Sequence, residues 1–411
     1  MAAVPQPPII LSFEDARQAV ERHAAQVRPG GLESVQLLAG VDRVLAKPVA
    51  ADRDFPPFRR AMRDGYAIRA SDLAQLPVTL DVIAEIKAGA APNEVPAQVG
   101  PGQAAAIMTG APTPPGADAV VMVEYTSLSG NRVTIARGVA SGDNVVPVAS
   151  EARQGQVLLA PGTRIDYSAI AVAASVGQDS LWVFRRPKVA ILSTGDEIVE
   201  VNAQPGPNQI RNSNSYSLAA QVQAVGGDPK ILGIARDDTQ HLRDLIQQGL
   251  QYDLLLLTGG VSMGKYDLVE QVLAELGADF FFTGAQIQPG RPIVFGRTQG
   301  KYFFGLPGNP VSTMVTFELF ARPMLEALMG MTARKLAFLH ARLKSDIKTK
   351  TGLKRFLPGT LSGEFEQAEV ELARWHGSGD VASTARSNCY IVIPADRERI
   401  AAGEWVAVMA R

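Results

Sequence analysis

The chain has one cysteine, Cys389, which excludes an internal disulfide and any thiolate-rich metal centre. Its four histidines (His23, His241, His340 and His376) are scattered, so a histidine-based zinc site is not expected. No apolar run approaches the roughly 20 residues that a membrane-spanning helix needs. Charge is nearly balanced, with 40 Lys+Arg against 41 Asp+Glu, and no dense basic block is present. Nucleic-acid binding, which depends on neutralising phosphates, is therefore not expected. The Met1-Ala-Ala-Val-Pro start lacks the basic and long apolar stretches of a secretory signal, so a cytoplasmic location is expected.

What is present is a folded, multidomain texture. At 411 residues the length suggests about two to four domains. Gly 38 and Pro 27 are interleaved with apolar runs throughout, which indicates shaped turns rather than disorder. Ser12, with Glu14 and Asp15 behind it, marks a helix start. From about Ala50 to Ser150, short runs such as Val78-Thr-Leu-Asp-Val-Ile and Ala119-Val-Val-Met-Val alternate with Gly and Pro, predicting a mostly β module. Arg164 to Val176 has helical character. The stretch Asp179 to Pro187 is expected to be a connector.

Beyond Lys188 the texture changes. Val189-Ala-Ile-Leu and Leu254-Leu-Leu-Leu are continuous apolar runs, as in parallel strands covered on both faces. Between them lies helical spacing (Leu218, Ala219, Val222, Val225), closed by Gly226-Gly227. Asn309-Pro310 is expected to open a last helix, with Asn309 as its cap and Pro323 kinking or ending it. This alternation predicts an open α/β sheet. After Met331 the chain returns to short strands, predicting a C-terminal β-barrel. The expected fold class is multidomain α/β plus β. Its units are a discontinuous helical/linker dimerisation domain (1–49 and 148–184), a β module (50–147), an α/β domain (185–330) and the barrel (331–411).

Three Gly-rich turns follow strands of the α/β unit directly: Ser193-Thr-Gly-Asp-Glu197, Thr258-Gly-Gly-Val-Ser-Met-Gly264 and Leu306-Pro-Gly-Asn-Pro-Val-Ser312. Ligands of open α/β sheets bind outside the carboxyl ends of the strands. Glycines there let backbone N–H groups approach an anion closely. The bland alternative is that strand-to-helix turns need Gly and Asn for their own geometry. None matches a Walker loop or a dinucleotide fingerprint. Asp196, Glu197, Asp237, Asp238 and Asp267 lie near these turns and could hold a hard divalent cation such as Mg²⁺. Against this, Asp267 with Glu270 reads equally as a reciprocal helix cap, and Asp237-Asp238 as a solvated turn. Cys389 and the three tryptophans (Trp182, Trp375, Trp405) read as packing residues.

Six segments occur in a fixed order: Met62-Arg-Asp-Gly-Tyr-Ala-Ile, Ile107-Met-Thr-Gly-Ala-Pro-Thr-Pro-Pro-Gly-Ala-Asp-Ala-Val-Val-Met-Val-Glu, Leu192-Ser-Thr-Gly-Asp-Glu, Gly259-Gly-Val-Ser-Met-Gly, Gln288-Pro-Gly-Arg-Pro and Gly305-Leu-Pro-Gly-Asn-Pro-Val-Ser. Together they resemble the MoeA family of molybdopterin molybdenumtransferases, to which the C-terminal domain of gephyrin is similar. The resemblance runs from Phe13 to the C-terminal barrel. It implies insertion of molybdate into adenylylated molybdopterin with release of AMP. It also implies Mg²⁺ as cofactor, an elongated homodimer with four subdomains per chain, and the molybdopterin adenylyltransferase as a candidate partner.

By motif, the resemblance implies catalytic roles for Asp64, Glu197 and Asp267, and metal binding by Asp237, Asp238 and Asp267. Asp64 and Thr109 would reach a crevice of the partner protomer. Gly259, Gly260, Ser262 and Gly264 would cradle the pterin phosphate, and Pro307, Gly308, Asn309 and Pro310 would shape the pterin-side loop. Arg355 and Ser378 would contact an oxyanion, for which the planar guanidinium fork is suited, and Arg291 would keep a positive charge for substrate binding. A metal-activated water attacking the phosphoanhydride is the mechanism this implies. The chain departs from the family pattern at Gln288, where a lysine is usual, at Arg59 and Arg60, where acidic or polar residues are usual, and at Val145-Val-Pro-Val, where a basic run is usual. Glu151 aligns with the aspartate that follows that run. Two other functions fit the α/β unit alone: an adenylyltransferase-like enzyme, or a non-enzymatic scaffold.

Overall fold

The computed structural model describes residues 8–260 and 268–411. Its central sheet has six strands in the order Asp228–Ala235, Lys188–Thr194, Leu254–Thr258, Lys301–Leu306, Val294–Thr298 and Asp279–Phe282. The first four are parallel, and the fifth, Val294–Thr298, runs antiparallel to both of its neighbours. Successive side chains of a strand point to opposite faces, so an unbroken apolar run fills two cores at once. Val189, Ile191, Leu254, Leu256 and Phe304 pack on one face, against Leu218 and Val222 of helix α3 (Ser213–Val225). Ala190, Leu192, Leu255, Leu257 and Phe303 pack on the other, against helices α4 (Thr239–Gly249) and α5 (Leu268–Glu275). Helix α3 ends at Gly226, whose φ of +116° and contact with the Met329 methyl leave no room for a Cβ.

The N-terminal helix α1 (Phe13–Ala24), capped by Ser12 through the Asp15 N–H, buries Ala16, Ala19 and Val20 in the first of these cores. The segment Asp179–Pro187 is not simply a connector. Ser180–Phe184 is a strand paired antiparallel with Leu32–Gln36. Its alternation was hidden because its outward residue, Trp182, is itself apolar; Trp182 is 44% exposed under the Lys47 ammonium, so it is not a core residue. Helix α2 (Tyr167–Ser175) covers this pair through Ala169 and Ala173.

The β module is a six-stranded sheet ordered Ala119–Met122, Gly65–Ile68, Gln103–Ile107, Val78–Ile86, Arg132–Ile135 and Thr126–Ser129, with a core on each face. The C-terminal region is a closed barrel of five strands: Lys354–Ser362, Glu369–Leu372, Leu339–Leu343, Trp405–Ala410 and Cys389–Ile393, the last pairing back to the first. Closure removes the unpaired edges. Cys389 is fully buried in it, and burial pushes its thiol up to about 11, so it is an unreactive core residue. Trp405 is half exposed beneath Arg342.

Pro323 does not end the last helix of the α/β unit. Helix α6 (Pro310–Thr316) widens into a π turn (Phe317–Ala321) and continues as α7 (Arg322–Leu328). Pro323 falls in the first turn of α7, where the change of hydrogen-bond spacing removes the usual need for its N–H.

Candidate functional site

Pairing of Ser193 with Thr258, and of Thr258 with Leu306, sets the carboxyl ends of three adjacent parallel strands level. The three Gly-rich turns therefore meet. A Cβ at Gly259 would lie 2.3 Å from the Thr194 carbonyl oxygen, and one at Gly260 would lie 2.5 Å from the Thr194 hydroxyl. Both glycines have positive φ, +85° and +62°. A Cβ at Gly308 would sit 3.5 Å from the Gly259 Cα, an ordinary contact. The residues 261–267 lie outside the described ones, and with them Ser262, Gly264 and Asp267.

The turns are tied by side chains that sequence reasoning did not single out. The amide of Asn214, only 6% exposed, donates to the Thr258 hydroxyl at 2.9 Å and to the Gly308 carbonyl at 2.7 Å. The Ser193 hydroxyl meets Asn212 Oδ1 at 3.0 Å, and that same oxygen caps helix α3 through the Ser215 N–H. The run Asn212-Ser-Asn-Ser reads in sequence as an ordinary solvated helix start, yet Asn212, Asn214 and Ser215 are buried while Ser213 is exposed. Thr194 Oγ1, Asn212 Nδ2 and Asn214 Oδ1 are buried with no hydrogen-bond partner among the described residues. Such atoms are costly to leave unpaired, so their clustering marks a floor suited to a polar ligand or ordered water.

The third turn is anchored by Pro307, whose buried carbonyl accepts from the hydroxyls of Thr258 and Thr313. Gly308 and Asn309 are exposed beyond it, and Pro310 is half-buried. Asn309 precedes helix α6 but its side chain makes no capping bond. The barrel reaches the same turn through Ser378, whose carbonyl accepts the Val311 N–H at 3.0 Å.

The acidic residues divide. Asp238 caps helix α4, accepting the His241 N–H at 2.7 Å. Asp237 instead faces the first turn: its backbone N–H donates to Asp196 at 3.2 Å. Partial burial, then the charges of Asp196 and Glu197, raise the Asp237 carboxyl above its ordinary range. This is a set of hard oxygen donors whose mutual repulsion a divalent cation would relieve. Among the described residues, no three acids or histidines are already arranged around a metal position.

Arg355 is 7% exposed and has no carboxylate partner among the described residues. Burial alone holds its guanidinium below its ordinary value. A buried cation without a counter-charge is expensive, so the position is prepared for an anion. Arg291 is exposed and forms no ion pair among the described residues, while its carbonyl accepts the Ala285 N–H at 3.0 Å.

Asp64 and Thr109 pair with each other in the β module. The Asp64 carboxylate accepts the Thr109 N–H at 2.6 Å and its hydroxyl at 2.9 Å, which holds it below the usual range. Neither makes a hydrogen bond to the α/β unit of the same chain among the described residues. Arg60 pairs with Glu151 at 2.5 Å and Arg59 donates to the Ala117 carbonyl at 3.3 Å.

Family models match three successive regions: the MoeA N-terminal region (domain I and II) at residues 11–177, a probable molybdopterin binding domain at 190–327, and the MoeA C-terminal region (domain IV) at 340–410. The chain is 36% identical over 391 residues to a molybdopterin molybdenumtransferase of Nostoc sp., covering 92% of this chain and 88% of that one. It is 33% identical over 405 residues to one of Bacillus subtilis, covering 95% and 93%. A solved structure of the molybdopterin biosynthesis MoeA protein from Pyrococcus horikoshii OT3 superposes with a TM-score of 0.79 at 30% identity, over 98% of this chain and 100% of that one.

Proposed function

The chain belongs to the MoeA family, and from that premise we propose that it is a molybdopterin molybdenumtransferase, a transferase of molybdenum cofactor synthesis that inserts molybdate into adenylylated molybdopterin and releases AMP. The observation that carries the site assignment is the convergence of the three Gly-rich turns, with Arg355, buried and without a carboxylate partner among the described residues, on the barrel strand that pairs with Ile287–Gln288 of the same unit. One cation and one backbone cradle suit the two anions this reaction joins. Three family matches in succession, from residue 11 to 410, favour this over an adenylyltransferase-like enzyme or a scaffold built on the α/β unit alone.

In this reading Gly259 and Gly260, with Ser262 and Gly264, hold the phosphate of the substrate by backbone N–H groups. Pro307 to Pro310 bound the pterin. Arg355, Ser378 and Arg291 take molybdate, the guanidinium supplying fixed donors to a tetrahedral oxyanion. Asp237, with Asp196, Glu197 and Asp267, would hold Mg²⁺ through carboxylate oxygens; Asp238 contributes by fixing the loop that carries Asp237. Bound there, Mg²⁺ would supply charge neutralisation at the phosphoanhydride. The carboxylate of Glu197 stands in the first turn to accept a proton from the attacking group.

The active unit of this proposal is a homodimer, in which the Asp64–Thr109 pair of one protomer completes the crevice of its partner. Two observations support it. Asp64 is oriented by two hydrogen bonds from Thr109, and its carboxylate makes no hydrogen bond to the α/β unit of its own chain among the described residues. Leu38 and Tyr167 expose 77% and 85% of their surface on the split unit, which offers an apolar face. No described helix is long and apolar enough to cross a membrane. A cytoplasmic location and contact with the molybdopterin adenylyltransferase belong to the same reading.

The test is AMP release from adenylylated molybdopterin with Mg²⁺, with and without molybdate. Molybdate-stimulated release by the wild type, lost in Arg355→Met, is expected. A folded, dimeric wild type that releases no AMP would overturn the proposal.

A further inference from the structure

The only strand pairing between the α/β unit and the barrel sheet among the described residues is Ile287–Gln288 beside Lys354–Arg355. It places Gln288 opposite Arg355. Gln288 Oε1 accepts the Arg355 Nε–H at 2.9 Å, and the Leu353 carbonyl accepts from Nη1 at 3.0 Å. A guanidinium carries five N–H donors, so about three remain, on Nη1 and Nη2. Two residues further on, Gly290 abuts helix α6: a Cβ there would lie 2.3 Å from Thr316 Cγ2. The same helix receives the Ser378 carbonyl at Val311. Gln288, Arg355 and Ser378 are thus fixed around one helix.

We infer that Gln288 is a positioning residue for Arg355: it holds the guanidinium by one edge and turns the free donors to molybdate. This rests on the reading of Arg355 as an oxyanion-binding residue. The chemistry of the partner is the point. A neutral carboxamide orients the arginine without cancelling its charge, whereas a carboxylate would occupy the cation with an internal ion pair. An apolar residue would leave Nε–H unpaired and the side chain free among rotamers. Gln288 is itself exposed, so its replacement removes the hydrogen bond without opening the core.

The experiment measures AMP release against molybdate concentration, with saturating adenylylated molybdopterin, for the wild type, Gln288→Met, Gln288→Glu, Arg355→Met and the Gln288→Met/Arg355→Met double variant. Loss of a charge-assisted hydrogen bond predicts a rise of about tenfold in the molybdate KM of Gln288→Met. Its kcat and its KM for adenylylated molybdopterin should stay close to wild type, a split that a merely structural role would not produce. Gln288→Glu should raise the molybdate KM at least as far, by neutralising the cation. The double variant should be no worse than Arg355→Met alone. An unchanged molybdate KM in Gln288→Met, or effects of the two substitutions that simply multiply, would overturn the inference. If Arg355→Met leaves the molybdate KM unchanged, Arg355 is not the oxyanion residue and the inference falls with it. A wild type with no molybdate response identifies failure of the functional reading instead.

Discussion

Asp237 donates its backbone N–H to the carboxylate of Asp196, which sets two acids from different turns side by side at the mouth of the crevice. Because the Asp237 carboxyl is raised in the folded protein, the folded state holds its proton to higher pH than the unfolded chain does. Stability from this group is therefore full below the unfolded value, near 3.8, and is lost as pH rises through the folded value. At neutral pH the ionised group destabilises the fold. Asp237→Asn should raise the thermal midpoint slightly at pH 7, with the gain vanishing at acid pH. The effect is small, below about 1 kcal/mol, since the group is exposed and screened. AMP release by the same variant should fall. A midpoint that drops at pH 7 would show that Asp237 makes a stabilising bond instead.

The neighbouring pair behaves in the opposite sense. Asp64 is held low first by the Thr109 N–H and then by its hydroxyl. Its contribution to stability is present above the unfolded value and is lost as pH falls through the folded one. Thr109→Val keeps the N–H bond and removes the other, so the Asp64 carboxyl should titrate closer to its ordinary range, while Thr109→Ser should leave it low. Carboxyl carbon shifts followed by NMR across pH 2 to 6, roughly the span of carboxylate titration, read this directly. Identical titrations in wild type and Thr109→Val would remove the hydroxyl from the account.

How far the site could be read from sequence follows the physics of each signal. Strands such as Leu254–Thr258 announce themselves because both faces are buried, and the turns after them because Gly and Pro are rare in regular structure. The Asn214 hub did not, because a buried asparagine looks the same in sequence as a solvated one. Nor did the strand Ser180–Phe184, whose outward tryptophan breaks the polar alternation. The division of labour between Asp237 and Asp238 is a matter of one rotamer pointing back to cap helix α4, and adjacent identical residues carry no such information.

The glycines of the crevice separate packing from ligand approach. Gly260→Ala meets the Thr194 hydroxyl at 2.5 Å and Val269 Cγ2 at 2.8 Å, at a φ of +62°. It should destabilise the protein by about 1–3 kcal/mol, measured by urea unfolding. Gly308→Ala meets only an ordinary contact, so its unfolding midpoint should match wild type. If Gly308→Ala nevertheless weakens binding of adenylylated molybdopterin, the lost room belongs to the ligand. Normal binding by Gly308→Ala would place the pterin elsewhere.

Arg355 supplies the sharpest contrast between stability and function. A buried guanidinium satisfied only by neutral acceptors leaves its charge uncompensated, and replacing such a group by an apolar side chain of similar volume is often neutral or stabilising. Arg355→Met should therefore keep or raise the thermal midpoint in the absence of oxyanion. Molybdate or tungstate, by binding the folded state alone, should raise the wild-type midpoint in proportion to the logarithm of its concentration above Kd. The variant should show no such rise. Sulfate at equal ionic strength controls for screening, which would move both proteins alike. A molybdate-dependent rise retained in full by Arg355→Met would place the oxyanion on other donors, with Arg291 the next candidate because it is exposed and forms no ion pair among the described residues.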